Sequence, residues 1–159
     1  MKTALLSLVA TTAMSLAPSA AAQDAPDDEQ TVRATIDSFM AAFDAKDGSR
    51  MASFLTEDAR VYAVREAEGG DPLTTGLISE LARTITEVPA DIAEPLAIRS
   101  VLVDGPVAMV WADYGFYVDG EQQHCGVDVF NLVRIAGEWK IASITYSHIE
   151  SACEDAPRP

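Results

Sequence analysis

The hydrophobic period of this chain changes at Pro95, and that change limits the folds open to it. From Leu96 to Ser147 there are four runs rich in β-branched and aromatic residues: about Leu96–Val103, Val107–Val118, Gln122–Ile135 and Trp139–Ser147. Only Asp104-Gly105-Pro106, Asp119-Gly120 and Ala136-Gly137 separate them. Connections this short join antiparallel neighbours, so the second half of the chain is expected to be a four-stranded meander.

Ahead of Pro95 the period is helical. Val32, Ile36, Phe39, Met40 and Phe43 fall on one face of an amphipathic helix starting near Thr31. Asp27 or Asp28 can cap it, and Asp47-Gly48 supplies a stop. A short second helix puts Met51, Phe54 and Leu55 inward, with Ser49 as a possible cap, and ends near Thr56. Ala59 to Arg65 reads as a first strand. After the Glu68–Pro72 turn, Thr74 or Thr75 can cap a third helix carrying Leu77, Ile78, Leu81 and Ile85, which Pro89 ends. Helices first and a long meander last make an α+β domain. About three helices must cover one face of a curved antiparallel sheet, leaving a cone with a cavity at its wide end, where small ligands bind.

The N-terminus reads as an export signal. Lys2 is the only charge before Asp24, and the apolar run behind it is too short to span a bilayer. Ala20-Ala21-Ala22 offers a cleavage site, so residues 1–22 are expected to be a signal peptide and 23–30 a flexible polar leader. The domain then runs over 31–153, with a tail at 154–159. The expected location is periplasmic or secreted, free of the membrane after cleavage. The net charge is −14, and loss of Lys2 makes it one unit more negative. Such a surface repels nucleic acid and anionic lipid, so neither is an expected partner.

Two cysteines, Cys125 and Cys153, are the whole complement. In an exported chain an even pair reads as a disulfide, with two isolated thiols as the alternative. If Arg134 faces Trp139 across the last turn, Cys125 faces roughly His148. Cys153 then reaches it only if the chain folds back after Ile149 or a bulge shifts the register. Such a bridge would pin the acidic tail at the mouth of the cone. The cysteines and histidines lack zinc-ligand spacing, so no metal is expected, and no cofactor motif is present.

The element order and several segments resemble the nuclear transport factor 2-like (SnoaL-like) superfamily, and most closely its exported bacterial members labelled "putative lumazine-binding". The stretches carrying the resemblance are Tyr117-Val118-Asp119-Gly120, His124-Cys125-Gly126-Val127-Asp128-Val129-Phe130, Gly137-Glu138-Trp139-Lys140-Ile141 and Cys153, with Phe39 to Arg65 adding two helices and a strand. The resemblance implies a cone-shaped, cystatin-like roll. It does not imply one activity, because the superfamily holds isomerases, dehydratases, cyclases and proteins without known chemistry.

His124 and Asp128, four apart on one strand, share a face and make a candidate acid/base pair. Surface placement of the histidine and a turn-bound aspartate are the bland alternative. Tyr62 is a candidate donor by loose analogy with isomerases of this fold. Among the aromatic residues of the meander, Trp111, Tyr114, Phe116 and Phe130 are candidate pocket walls, although core packing is the commoner use. Tyr62 and Asp128 complete the expected ligand-binding set. His148 reads as a surface residue near Glu150. Three readings follow: a module binding an unidentified small, partly apolar molecule, an isomerase or lyase using Asp128, His124 and Tyr62, and a structural homodimer. The last draws on strands such as Val127–Ile135 that are apolar on both faces.

Overall fold

Each element forms where local chemistry favours it, and its apolar face then decides where it packs. The computed structural model describes residues 27–67, 70 and 72–159. The expected signal peptide and most of the leader lie outside the described residues. Helix α1 spans Asp28–Asp44, starting inside the stretch expected to be leader, and Asp27 caps it by accepting from the Glu29 amide. Its buried residues include all five of the expected apolar face. Lys46 adopts a left-handed conformation after α1 and reaches across to donate to the carbonyls of Val88 and Ala90. Helix α2 (Gly48–Ser53) is capped by Asp47, which accepts from the Arg50 amide, and not by Ser49.

Strand β1 covers Leu55–Arg65. The next segment corrects the expected third helix. Leu73–Leu77 is a strand, β2, paired antiparallel with β1, and helix α3 begins only at Ile78 and ends at Thr84. Threonines at 74 and 75 favour the extended backbone they adopt here, and pairing to β1 outweighs their capping potential. A single 3-10 turn, Ile85–Glu87, follows, and a two-residue strand β3 (Ile92–Ala93) leads into the meander β4 (Leu96–Asp104), β5 (Val107–Val118), β6 (Glu121–Ile135) and β7 (Glu138–His148).

The strands form one curved, unclosed sheet in the order β2-β1-β7-β6-β5-β3, with β4 also pairing β5. All pairs are antiparallel except β1 with β7, which is parallel. The register of β6 on β7 starts as expected, Arg134 opposite Trp139, but a bulge between Leu132 and Asn131 shifts it by one. Cys125 therefore pairs with Ile149. Even-numbered residues of β5 and β6 point inward: Val110, Ala112, Tyr114, Phe130 and Leu132 are all almost completely buried. Val110, Phe130 and Leu132 meet Val32, Ile36, Phe39, Met40 and Phe43 of α1 and Ile141 of β7 in a single core. Trp139 closes its narrow end, donating from the indole nitrogen to Thr31 Oγ1 at 3.1 Å.

Beyond Ile149 the chain turns back, with Ala152 in a left-handed conformation, and Cys153 bonds Cys125 at a Cα separation of 5.7 Å. The tail then lies on the outer face of the sheet and not at the mouth of the cone, because Cys125 is an odd, outward position. The Tyr117 hydroxyl donates to the Pro157 carbonyl, and Gln122 donates to that of Cys153. Gly115 is required beneath it, since a Cβ there would stand 2.5 Å from the Pro157 oxygen.

The bridge closes a loop with a sequence separation of 28, for which the chain-entropy relation gives about 3.6 kcal/mol of stabilisation. Replacing both cysteines by serine is expected to lower unfolding free energy by about 3 kcal/mol, read from urea titrations, and to open the tail to protease first. Unchanged stability with a protected tail would contradict this account.

Candidate functional site

Where α1 ends and α3 turns away, the inward face of the sheet is no longer filled. A cavity of about 350 Å³ remains there. Its helical wall is Phe39, Met40 and Phe43 of α1 with Leu81, Ile85 and Val88 of the α3 segment. Its sheet wall is Val61 of β1, Phe116 and Val118 of β5, His124, Asp128 and Phe130 of β6, and Ile144 and Tyr146 of β7. Ile92 and Glu94 close it beside β3. The walls are therefore mostly aliphatic and aromatic, with two carboxyl groups set among them.

Asp128 is the one polar residue of the buried core among the described residues, with 3% of its surface accessible. Its Oδ2 atom is buried and has no hydrogen-bond partner among the described residues. Burial without compensation favours the neutral form, and its carboxyl is pushed up to about 8. Glu94 faces the same cavity and is also held well above the carboxylate range, by burial first, then by the charges of Asp128 and Asp44. Its amide donates to Asp44 Oδ1 at 3.0 Å, which seats it there. Two interacting carboxyls in an apolar site cannot both ionise cheaply, so they titrate as a pair.

His124 lines the same wall but does not pair with Asp128. It lies between Phe116 (centroids 4.8 Å, near-parallel) and His148 (3.9 Å). The Tyr114 hydroxyl donates to the Ser147 carbonyl at 2.9 Å and lies 3.0 Å from His124 Nδ1, which assigns the ring proton to that nitrogen. Burial, followed by the neighbouring His148 and Arg65, pushes His124 down to about 4, so it is neutral at physiological pH. The phenol of Tyr114 is raised by burial and by the charges of Asp128 and Glu94, and Tyr146 is raised for the same reasons. Gly126 makes this arrangement possible: a Cβ there would meet the Ser147 oxygen at 2.1 Å.

The sequence-derived candidates divide accordingly. Asp128, His124, Phe116 and Phe130 come together at the cavity. Tyr114 stands behind its wall, holding His124. Tyr62 does not join them: it neighbours the inward Val61 on β1 and so points to the opposite face of the sheet. Trp111 is likewise outward, opposite Val129, and 42% exposed. His148 lies beside Glu150, at 3.3 Å, as expected, but it is partly buried and stacks on His124. Glu94 was missed. An acidic residue before Pro95 reads as loop, and nothing local signals that β3 swings it inward. Among the described residues there is no cluster of three or more metal-ligating side chains.

A family model described as "Putative lumazine-binding" matches residues 27–147. No curated protein sequence matches the chain. Among solved structures, a nuclear transport factor 2-like protein of unknown function from Shewanella baltica is 22% identical, over 77% of this chain and 94% of that one, with a TM-score of 0.61. A conserved protein from Planctomyces limnophilus is 16% identical, over 77% and 96%, at 0.63. A ketosteroid isomerase-like protein from Erwinia carotovora atroseptica is 19% identical, over 78% and 98%, at 0.57. At these identities the likeness is one of fold.

The buried carboxyl generates a stability prediction. Folded Asp128 keeps its proton to higher pH than the unfolded chain does. Its contribution is therefore whole below the ordinary carboxylate value near 4 and is lost as pH rises towards about 8. Asp128→Asn is expected to be more stable than the parent by roughly 1–3 kcal/mol at pH 8. The two should converge near pH 4 in parallel urea titrations. A gap that stays constant across that range would show that the carboxyl is not held neutral.

Proposed function

We propose, on the premise that the chain belongs to the family described as "Putative lumazine-binding", that it is an exported module holding a small, partly apolar molecule in the cone cavity. Family and fold support small-molecule binding. The observation that carries the reading to a particular site is Asp128, whose Oδ2 is buried and unpartnered at the cavity wall. A polar group left unsatisfied in that position costs stability, and a ligand that hydrogen-bonds to it recovers the cost on binding. Export agrees with the disulfide, which persists outside the reducing cytoplasm. Among the described residues no helix is long and apolar enough to cross a membrane.

The isomerase or lyase reading is favoured by one observation. A carboxyl near neutrality in an apolar cavity is suited to taking a proton from carbon and returning it. In that reading Asp128 is the base and Glu94 the acid. His124 serves the wall, and Tyr62 has no part.

The outer face of the sheet supports pairing with a second copy. Leu102 of β4, Val107 and Trp111 of β5 and Ile135 of β6 are exposed large apolar residues on this face. A patch of this kind is usually covered.

Two measurements check these proposals. Native mass spectrometry of protein taken from its own periplasm is expected to show a bound small molecule that Asp128→Asn no longer retains. Equal retention by the variant would place the ligand elsewhere, and conversion of the released molecule by fresh protein would favour the enzyme. Sedimentation is expected to show a dimer at micromolar concentration that Trp111→Glu dissociates. A monomer at high micromolar concentration would remove the pairing proposal.

A further inference from the structure

The charge pattern of the cavity names the kind of molecule it accepts. Among the described residues, no lysine or arginine lines it. Its titratable groups are Asp128, Glu94, His124 and Tyr146, and behind them stand Tyr114, Asp44, His148, Arg65 and Glu150. His124 is neutral, and Arg65 is engaged outside the cavity with Glu150 at 2.8 Å. An anionic ligand would therefore meet two carboxyls and no countercharge. The net charge of −14 repels it as well, and draws cations in.

We propose that the cavity is a site for a hydrophobic organic cation, an aryl-alkyl amine in its ammonium form, with its charge between Asp128 and Glu94 and its ring among Phe43, Phe116 and Phe130. This rests on the ligand-binding reading above and narrows its ligand class. A neutral ligand satisfies Asp128 Oδ2 with one hydrogen bond and leaves the carboxyl pair sharing a proton. An ammonium group supplies several donors and a full countercharge, which allows both carboxyls to ionise. The aromatic side chains around them add cation–π attraction, which is larger in a desolvated site. A cavity of about 350 Å³ accommodates a two-ring amine.

Protons link to this binding with a fixed sign. The empty site holds at least one proton on the carboxyl pair at neutral pH, and the cation displaces it. Amine affinity must therefore rise with pH while the amine itself, with an ordinary value near 10, stays charged.

The test uses residues 23–159 with the disulfide intact, and three probes of matched shape: 2-(2-naphthyl)ethylamine, 2-(2-naphthyl)ethanol and 2-naphthylacetate. Titration calorimetry is expected to show the amine binding at least tenfold tighter than the alcohol, with the acetate weakest. Amine affinity should rise at least fivefold from pH 5.5 to pH 7.5. Buffers of different ionisation enthalpy should report a proton released on binding. Asp128→Asn and Glu94→Gln should each reduce the amine-to-alcohol ratio. If the alcohol binds as tightly as the amine, or amine affinity is flat with pH, the cation proposal is overturned while ligand binding in the cavity stands. If none of the three probes binds, the cation proposal falls. A ligand co-purified from the periplasm and lost with Asp128→Asn would then still uphold the wider reading, whereas its absence would remove both.

Discussion

The inward positions of one hairpin, β5 with β6, carry both the core and the site, so the alternation of that hairpin governs most of the molecule. At its narrow end Val110, Phe130 and Leu132 meet α1 and fill the space. At its wide end Phe116, His124 and Asp128 continue the same face, and although Phe43 of α1 meets Phe116 edge-on, the helices leave a cavity between themselves and the sheet. A sheet that curves around one helix encloses more volume at one end than the helix can occupy. The surplus is the cavity, and its chemistry is set by whichever residues the alternation places there. A one-residue slip would turn Asp128 outward and put Val127 and Val129 at the cavity wall.

Much of this was legible because two periods dominate the sequence. The face of α1, the four meander strands and their turns follow from spacing alone, and the register at Arg134 and Trp139 follows from the Ala136-Gly137 turn. What escaped depended on partners distant in sequence. Leu73–Leu77 is extended because β1 offers it a ladder, and the two threonines that could have capped a helix also suit a strand. The parallel pairing of β1 with β7 leaves no local trace, since no short turn joins them.

The candidate site shows the same limit more sharply. Asp128 was legible as an inward polar residue among apolar ones. Tyr62 and Trp111 were misplaced because residue type was weighed above face: each has an inward neighbour, Val61 and Val110, that contacts the interior instead. Glu94 illustrates the opposite failure. It reaches the cavity through a chain of long-range contacts in which β3 pairs the end of β5 and Asp44 accepts from the Glu94 amide.

Retention of Asp128 is costly for folding, and the surroundings show that the cost is not relieved internally. The phenol that stands near it is used elsewhere: the Tyr114 hydroxyl donates to the Ser147 carbonyl. Behind the inner wall, Tyr114 thus links His124 to the Ser147 carbonyl, and Asp128 stands outside that chain of hydrogen bonds. Turning the Tyr114 hydroxyl toward Asp128 would pair the buried oxygen but would leave the Ser147 carbonyl without that donor. The register keeps it apart, since Asp128 lies opposite Ala112 and Tyr146 while the network gathers four residues away at His124. Asp128 Oδ2 is thus left unpaired at the cavity wall among the described residues, while the polar groups around His124, four residues along the same strand, bond to one another.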